Sequence, residues 1–318
     1  MTTNKRKDFQ FSGHETFSLR QNWIYKVVAF CNEAISQGKV PPFNDPQAMV
    51  DLGVGKNMVS SMKWWGLQTN FLEYREGRVY PSELANMIFG SSSSSKDVGI
   101  TPLDPYGESY ATAWLAHWNL SCQANKFTAL WYLFNVYNDQ EVNREVLQKR
   151  LIAFSDENNI SVTSNTIKRD VEVIFRSYCL SSNSKKENYE DKVDSFFGCL
   201  GLIASRENAN FEISRGRRLT LPTSLFVWAV LDHWERLNKI SPSKTLDWFQ
   251  ISFAQDSPGR VFKLTEQDLN NRLEEFEELT SGELVWSDQL GIKNLISKRS
   301  VLDFEGLKKS MLVKAFRE

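Results

Sequence analysis

Asp51-Leu52-Gly53-Val54-Gly55-Lys56-Asn57-Met58-Val59-Ser60-Ser61-Met62-Lys63-Trp64-Trp65-Gly66-Leu67 reads as the turn and second helix of a helix-turn-helix. Gly53 and Gly55 supply the backbone freedom that a tight turn needs. With a helix starting at Lys56, about 100° per residue puts Met58, Val59, Met62 and Trp65 on one side. Lys56, Ser60 and Lys63 fall on the other, flanked by Asn57 and Trp64. An apolar back and a short basic-polar front suit a helix that lies in a DNA major groove. Residues 71–81 then resemble two short strands around Gly77, a wing. The plainer reading is a helix pair that packs and touches no ligand.

Upstream, Phe11-Ser12-Gly13-His14-Glu15 carries a capping box, Ser12 with Glu15 three residues on, so a first helix is expected to start there. Leu19, Trp23, Val27 and Cys31 recur at four-residue spacing as its buried stripe, and Pro41-Pro42 closes the element. Downstream, five serines at 91–95 mark a joint. An aromatic helix around Trp114, Leu115, His117 and Trp118 follows, then a helix over 127–137. A second helix-turn-helix is expected from helices over 144–154 and 164–178, joined through Asn158 and Asn159. Ile167, Val171, Ile174 and Tyr178 form the core side of the latter. Asn165, Arg169, Glu172 and Arg176 lie opposite, with Lys168 at the flank. That face suits phosphate contact or base reading. It is equally a solvated face with Lys168–Glu172 pairing.

Leu200-Gly201-Leu202-Ile203 reads as a buried strand or short helix. Residues 211–220 read as a hairpin with Arg215, Arg217 and Arg218 around its tip, a second-rank phosphate site or an exposed turn paired with acids. A helix over 221–237 follows. Thr265 and Asp268 are expected to cap an acidic helix whose inner face is Leu269, Leu273, Phe276 and Leu279. Its glutamates form a solvated face or meet a basic partner.

The whole chain of 318 residues is 41% hydrophobic and carries a net charge of −1. A protein that coats nucleic acid through bulk positive charge is thereby excluded, so DNA contact must come from local patches. One such patch is Lys168, Arg169, Arg176, Lys185 and Lys186 against Asp170 and Glu172. No apolar run approaches the roughly 18 residues of a membrane span. The basic start (Lys5, Arg6, Lys7) has no hydrophobic core behind it, so it is not read as a secretion signal. Cys31, Cys122, Cys179 and Cys199 lie far apart, which suits reduced thiols in a cytoplasm better than a zinc knuckle.

Catalytic signatures are sparse. Gly53-Val54-Gly55-Lys56-Asn57 lacks the glycine spacing and the Lys-Ser/Thr ending of a phosphate loop. His14, Glu15 and Arg20 are the leading catalytic candidates, but capping and packing account for them as well. His117 and His233 each lie near a tryptophan in a helical pattern, so core roles are expected. No metal and no cofactor are expected.

Phe11-Ser12-Gly13-His14-Glu15-Thr16-Phe17-Ser18-Leu19-Arg20, with Trp23 and Lys26, resembles the opening motif of a bacterial family catalogued as domain of unknown function 4007. The resemblance continues through Leu52-Gly53-Val54-Gly55-Lys56-Asn57-Met58-Val59, Asp104-Pro105-Tyr106 and Ser164-Asn165-Thr166-Ile167-Lys168-Arg169-Asp170-Val171. Leu219-Thr220-Leu221-Pro222 and Ser257-Pro258-Gly259-Arg260-Val261-Phe262-Lys263-Leu264 extend it over nearly the whole chain. The chain departs from the family's Cys-Pro-Leu step, since Cys199 runs directly into Leu200. The resemblance implies genes beside sulfur-transfer enzymes of the phosphoadenosine-phosphosulfate-reductase type, in DNA phosphorothioation and phage-defence clusters. It supplies no catalytic residues.

Together these readings predict a mainly α, multi-domain protein with two winged-helix-like modules and small β-hairpin wings. Domains are expected over 1–95, 96–185 and 186–318. The expected function is that of a cytoplasmic, DNA-binding accessory protein of a DNA-modification or defence system. Its partners would be double-stranded DNA and a sulfur-transfer enzyme. The alternatives are a transcription regulator of a defence operon, or a scaffold for a sulfur-transfer complex that does not bind DNA.

Overall fold

The computed structural model describes residues 9–91, 101–179, 195–289, 291–299 and 303–318. The basic N-terminal octet, Ser92 to Ser95, Lys185 and Lys186 lie outside them, as do the divisions expected after residues 95 and 185. The protein is mainly helical, with small antiparallel sheets. It divides into two compact units, Met1–Leu133 with Asp139–Ile213, and Phe134–Asn138 with Ser214–Glu318. No helix among the described residues is long and apolar enough to cross a membrane.

In the first unit, α1 (Trp23–Ser36) buries Trp23, Val27 and Cys31, and Leu19 lies under the same stripe. The helix does not begin at the Ser12–Glu15 box. Ser12, Gly13, Glu15 and Thr16 all take positive φ, which a helical N-terminus cannot contain, so the chain stays irregular at 12–13, bends at His14 and turns at Glu15 and Thr16. The stretch read as a turn and second helix folds as α3 (Lys56–Gln68), preceded by α2 (Gln47–Leu52). Gly53, at φ 67°, uses its left-handed freedom, whereas Gly55 is extended and does not. Val59, Met62 and Trp65 are buried as the helical period demands. Trp64, expected at the outward-facing flank, is buried instead, as is Ser61, whereas Asn57 on that flank stays exposed. Strands β1 (Leu72–Arg75) and β2 (Arg78–Pro81) pair through a two-residue turn with Glu76 and Gly77 both at positive φ. Helix α4 (Glu83–Phe89) follows, capped by Ser82.

Helix α5 (Tyr110–Ser121) is buried from Ala111 to Ser121, which explains its unbroken aromatic and small-residue composition. His117 is a core residue, its Nδ1 lying 2.6 Å from the Tyr178 hydroxyl. Then come α6 (Thr128–Asn135), β3 (Glu141–Asn143), α7 (Arg144–Glu157) and α8 (Ser164–Tyr178). Asn143 caps α7 and Thr163 caps α8. A Thr163→Ala variant should lose about 1 kcal/mol by urea unfolding, because the Thr166 amide then has no side-chain acceptor. Gly198–Leu200 is one turn of 3₁₀ helix, and Leu202 and Ile203 are buried after it. Strands β4 (Ala204–Ser205) and β5 (Asn210–Glu212) complete a sheet of order β3-β5-β4.

The second unit holds α9 (Thr223–Asn238), β6 (Thr245–Asp247), α10 (Trp248–Ser252), α11 (Pro258–Val261), α12 (Glu266–Glu274) and α13 (Phe276–Leu279). Strands β7 (Leu284–Gln289) and β8 (Ile292–Ser297) and helix α14 (Glu305–Ala315) follow. Its sheet order, β6-β8-β7, repeats the first-third-second pattern of the other unit's sheet. Sequence reading had not anticipated this sheet. Thr265 caps α12 as expected, and Leu269, Leu273 and Phe276 are buried, while Leu279 is half-buried. Asp268 is buried as well, paired with Arg272 at 3.2 Å rather than serving as a cap. Residues 211–220 do not form a hairpin. After β5 the chain runs on to a parallel bridge between Gly216 and Leu264.

Candidate nucleic-acid interface

The front of α3 is what its period predicts at three positions. Lys56, Asn57 and Ser60 are exposed, and their side chains have no ion pair or hydrogen bond among the described residues. Lys63 is half-buried, its ammonium 5.7 Å from the centre of the Phe43 ring, so it snorkels along the protein rather than projecting freely.

On α8 the pattern is similar. Asn165, Lys168 and Arg169 are exposed without a partner among the described residues, and the Lys168–Glu172 pair of the plainer reading does not form. Arg176 departs from the group, because its guanidinium donates to the Thr16 carbonyl. Asp170, which sequence reading took as an acid offsetting this basic face, is 0% exposed and points inward.

Asp170 meets His14, which is 1% exposed. The Thr16 amide donates to His14 Nδ1 at 3.1 Å, so Nε2 carries the proton and donates to Asp170 Oδ1 at 2.8 Å. Both ring nitrogens are thereby occupied, and none is left to exchange a proton with a substrate. Glu15 is exposed and does not cap a helix, and Arg20 stacks over Trp23 at 5.7 Å. The geometry does not gather His14, Glu15 and Arg20 into a reacting site.

Of the three arginines at 215–218, only Arg217 is exposed. Arg215 donates to the carbonyls of Gly259 and Leu264, and Arg218 to those of Ser214 and Phe262. Burial lowers both guanidinium pKa values, that of Arg218 to about 10, with nearby Arg260 adding to the effect at Arg215. These two side chains staple the segment 257–264 rather than wait for a phosphate.

The structure also exposes two residues that sequence reading passed over. Arg78 and Tyr74 sit at the tip of the β1–β2 hairpin, Arg78 directly opposite Arg75. Arg75 is paired with Glu73 at 2.5 Å, whereas Arg78 has no partner among the described residues. Like charges facing across a ladder are unfavourable, and Arg75 is offset by Glu73 while Arg78 stays exposed beside Glu76. The Glu76-Gly77 turn, flanked by charged residues, was the signal available in the sequence.

No group of three or more His, Cys, Asp or Glu able to hold a metal occurs among the described residues. A structure titled as SspB superimposes with a TM-score of 0.78 at 22% identity, covering 97% of this chain and 89% of that one. A magnesium ion-bound SspB structure gives 0.76 at 20%, covering 97% and 95%. At these identities the likeness is one of fold. A comparison with curated proteins gave no match. The family model described as protein of unknown function, DUF4007, matches residues 11–316, and the chain belongs to that family.

Proposed function

We propose that this protein is a DNA-binding accessory component of a bacterial phosphorothioation-type modification or phage-defence system. The observation that carries this reading is the unpaired Asn165, Lys168 and Arg169 face of α8. That helix is the second of a pair, preceded by a strand and followed by two more in the order β3-β5-β4, which is the plan of a winged helix. Helices α1 to α3 with the β1–β2 hairpin supply a second such module, with Lys56, Asn57 and Ser60 in front. Arg78 adds a contact from its wing. In the other unit Lys293 pairs with Asp288 and Arg299 with Glu283, and DNA contact is assigned to the first unit because Lys56, Arg78, Lys168 and Arg169 have no partner among the described residues.

Two modest contacts on one duplex multiply through effective concentration, which lets a near-neutral protein bind firmly. Lys168→Ala with Arg169→Ala should reduce the log–log salt slope of duplex binding by about 1 to 2, since each phosphate contact contributes about 0.9. Arg78→Ala should reduce it by about 1. Affinity and slope both unchanged in the double variant would sink the α8 assignment. A difference between plain and phosphorothioate duplexes would tie the protein to the modification, and preference for one palindromic site would favour a regulator.

A second reading rests on the other unit, where Leu219, Ile240 and Phe249 are strongly exposed apolar side chains. They suit a protein partner such as a sulfur-transfer enzyme. Co-purification with that partner, and no duplex retention at low salt, would favour a scaffold.

A further inference from the structure

We infer that the turn at 12–17 is a clasp that locks α3 and α8 into one surface, with His14 as its positioning residue. The turn grips both helices at once. Towards α3, the Ser61 hydroxyl donates to the His14 carbonyl at 2.8 Å and the Trp65 indole donates to the Phe17 carbonyl at 3.2 Å. The His14 ring meets Trp64 edge-on at 5.4 Å. Towards α8, His14 Nε2 and the Ser12 amide both donate to the Asp170 carboxylate, and Arg176 closes the rim on Thr16.

The clasp is costly to make, which argues that its geometry is over-determined. Ser12, Glu15 and Thr16 hold φ of 60°, 47° and 65°, each a conformation costing on the order of 1 kcal/mol outside glycine. The Trp64 indole N–H is buried with no acceptor, a further local penalty. Such features persist only where the surroundings leave the backbone no alternative.

The placement gives the clasp its consequence. Ser61 follows exposed Ser60 on α3, and Asp170 follows exposed Arg169 on α8, so each helix is held through the residue beside its outward-facing group. A tilt of α8 that moves Lys168 and Arg169 must also break the Asp170 bonds. The clasp therefore sets the spacing of the two faces, and its bearing on DNA affinity rests on the proposed function.

The test labels Asn57→Cys and Asn165→Cys with nitroxides in a Cys199→Ser background, since Cys199 is the exposed thiol among the four. Pulsed dipolar spectroscopy then reads the distance distribution. A narrow distribution is expected for the parent and for His14→Gln, whose amide keeps a donor towards Asp170. A distribution at least twofold broader is expected for His14→Ala and Asp170→Asn. Arg176→Ala, which opens only the rim, gives an intermediate width and a variant that folds even if the buried changes do not. Folded variants with unchanged widths would overturn the clasp. In duplex binding, the broadened variants should lose at least fivefold in affinity although every outward-facing cation is intact. A parent protein that does not bind duplex removes the proposed function and leaves the distance result to decide the clasp.

Discussion

Gly13→Ala should destabilise the first unit by about 3 kcal/mol, lowering the melting temperature by roughly 6 to 12 °C. A Cβ built there falls 2.3 Å from Trp64 Nε1 and 2.4 Å from Trp64 Cδ1, distances no real contact reaches. The indole cannot withdraw easily, because Trp65 at 4.8 Å and Phe127 at 5.4 Å are packed edge-on against it. Overpacking of a dense core and a φ of +100° act together. Gly53→Ala is the control: its φ is also positive, at 67°, but nothing lies within 4 Å, so only the backbone penalty of about 1 kcal/mol remains. Urea midpoints measure both. A Gly13→Ala protein as stable as the Gly53→Ala protein would contradict the close approach of the turn to α3.

Raising the pH from 7 to 10 should stabilise the second unit through Lys263. This side chain is 8% exposed, its ammonium donating to the Phe134 carbonyl at 3.1 Å. Burial, and then Arg215, Arg260 and Arg218 nearby, push its pKa down to about 7. In the unfolded chain it returns to about 10.4. Between those values the unfolded state holds the proton and the folded state does not, so stability rises with pH. The slope approaches about 1.4 kcal/mol per pH unit. Below pH 7 both states are charged, the slope vanishes and the full burial penalty remains. Arg218, lowered to about 10 by burial, adds to the rise near the upper end of this range, so the difference between wild type and Lys263→Met isolates the lysine. Hydrogen exchange of second-unit amides, compared at pH-corrected intrinsic rates, reads that difference. A difference that does not change between pH 7 and pH 10 would mean that Lys263 stays charged in the fold.

Several sequence readings transferred to the structure because they depend only on local spacing. The four-residue recurrence of Leu19, Trp23, Val27 and Cys31 marked one buried stripe, and the run from Lys56 marked one helix with its apolar back. Thr265 could be read as a cap because a cap needs only its own helix. The Ser12–Glu15 box failed by the same measure. Its spacing is correct, but tertiary bonds to Asp170 and Arg176 hold the backbone at positive φ, and no capping energy of about 1 kcal/mol outweighs them.

The sequence by itself determined that this chain is mainly helical, where the Gly53–Gly55 turn and the helix after it lie, and which short basic-polar faces are candidates for a ligand. Those are matters of period, capping and turn chemistry, which act within a few residues. Only the tertiary structure decided which charges face outward. Lys168 and Arg169 remain free while Asp170, their neighbour, is buried against His14, more than 150 residues away in the chain. Arg217 stays at the surface while Arg215 and Arg218 turn in to the carbonyls of 257–264. A charged side chain goes where its hydrogen-bond partners are, and those partners come from distant segments that no local pattern encodes.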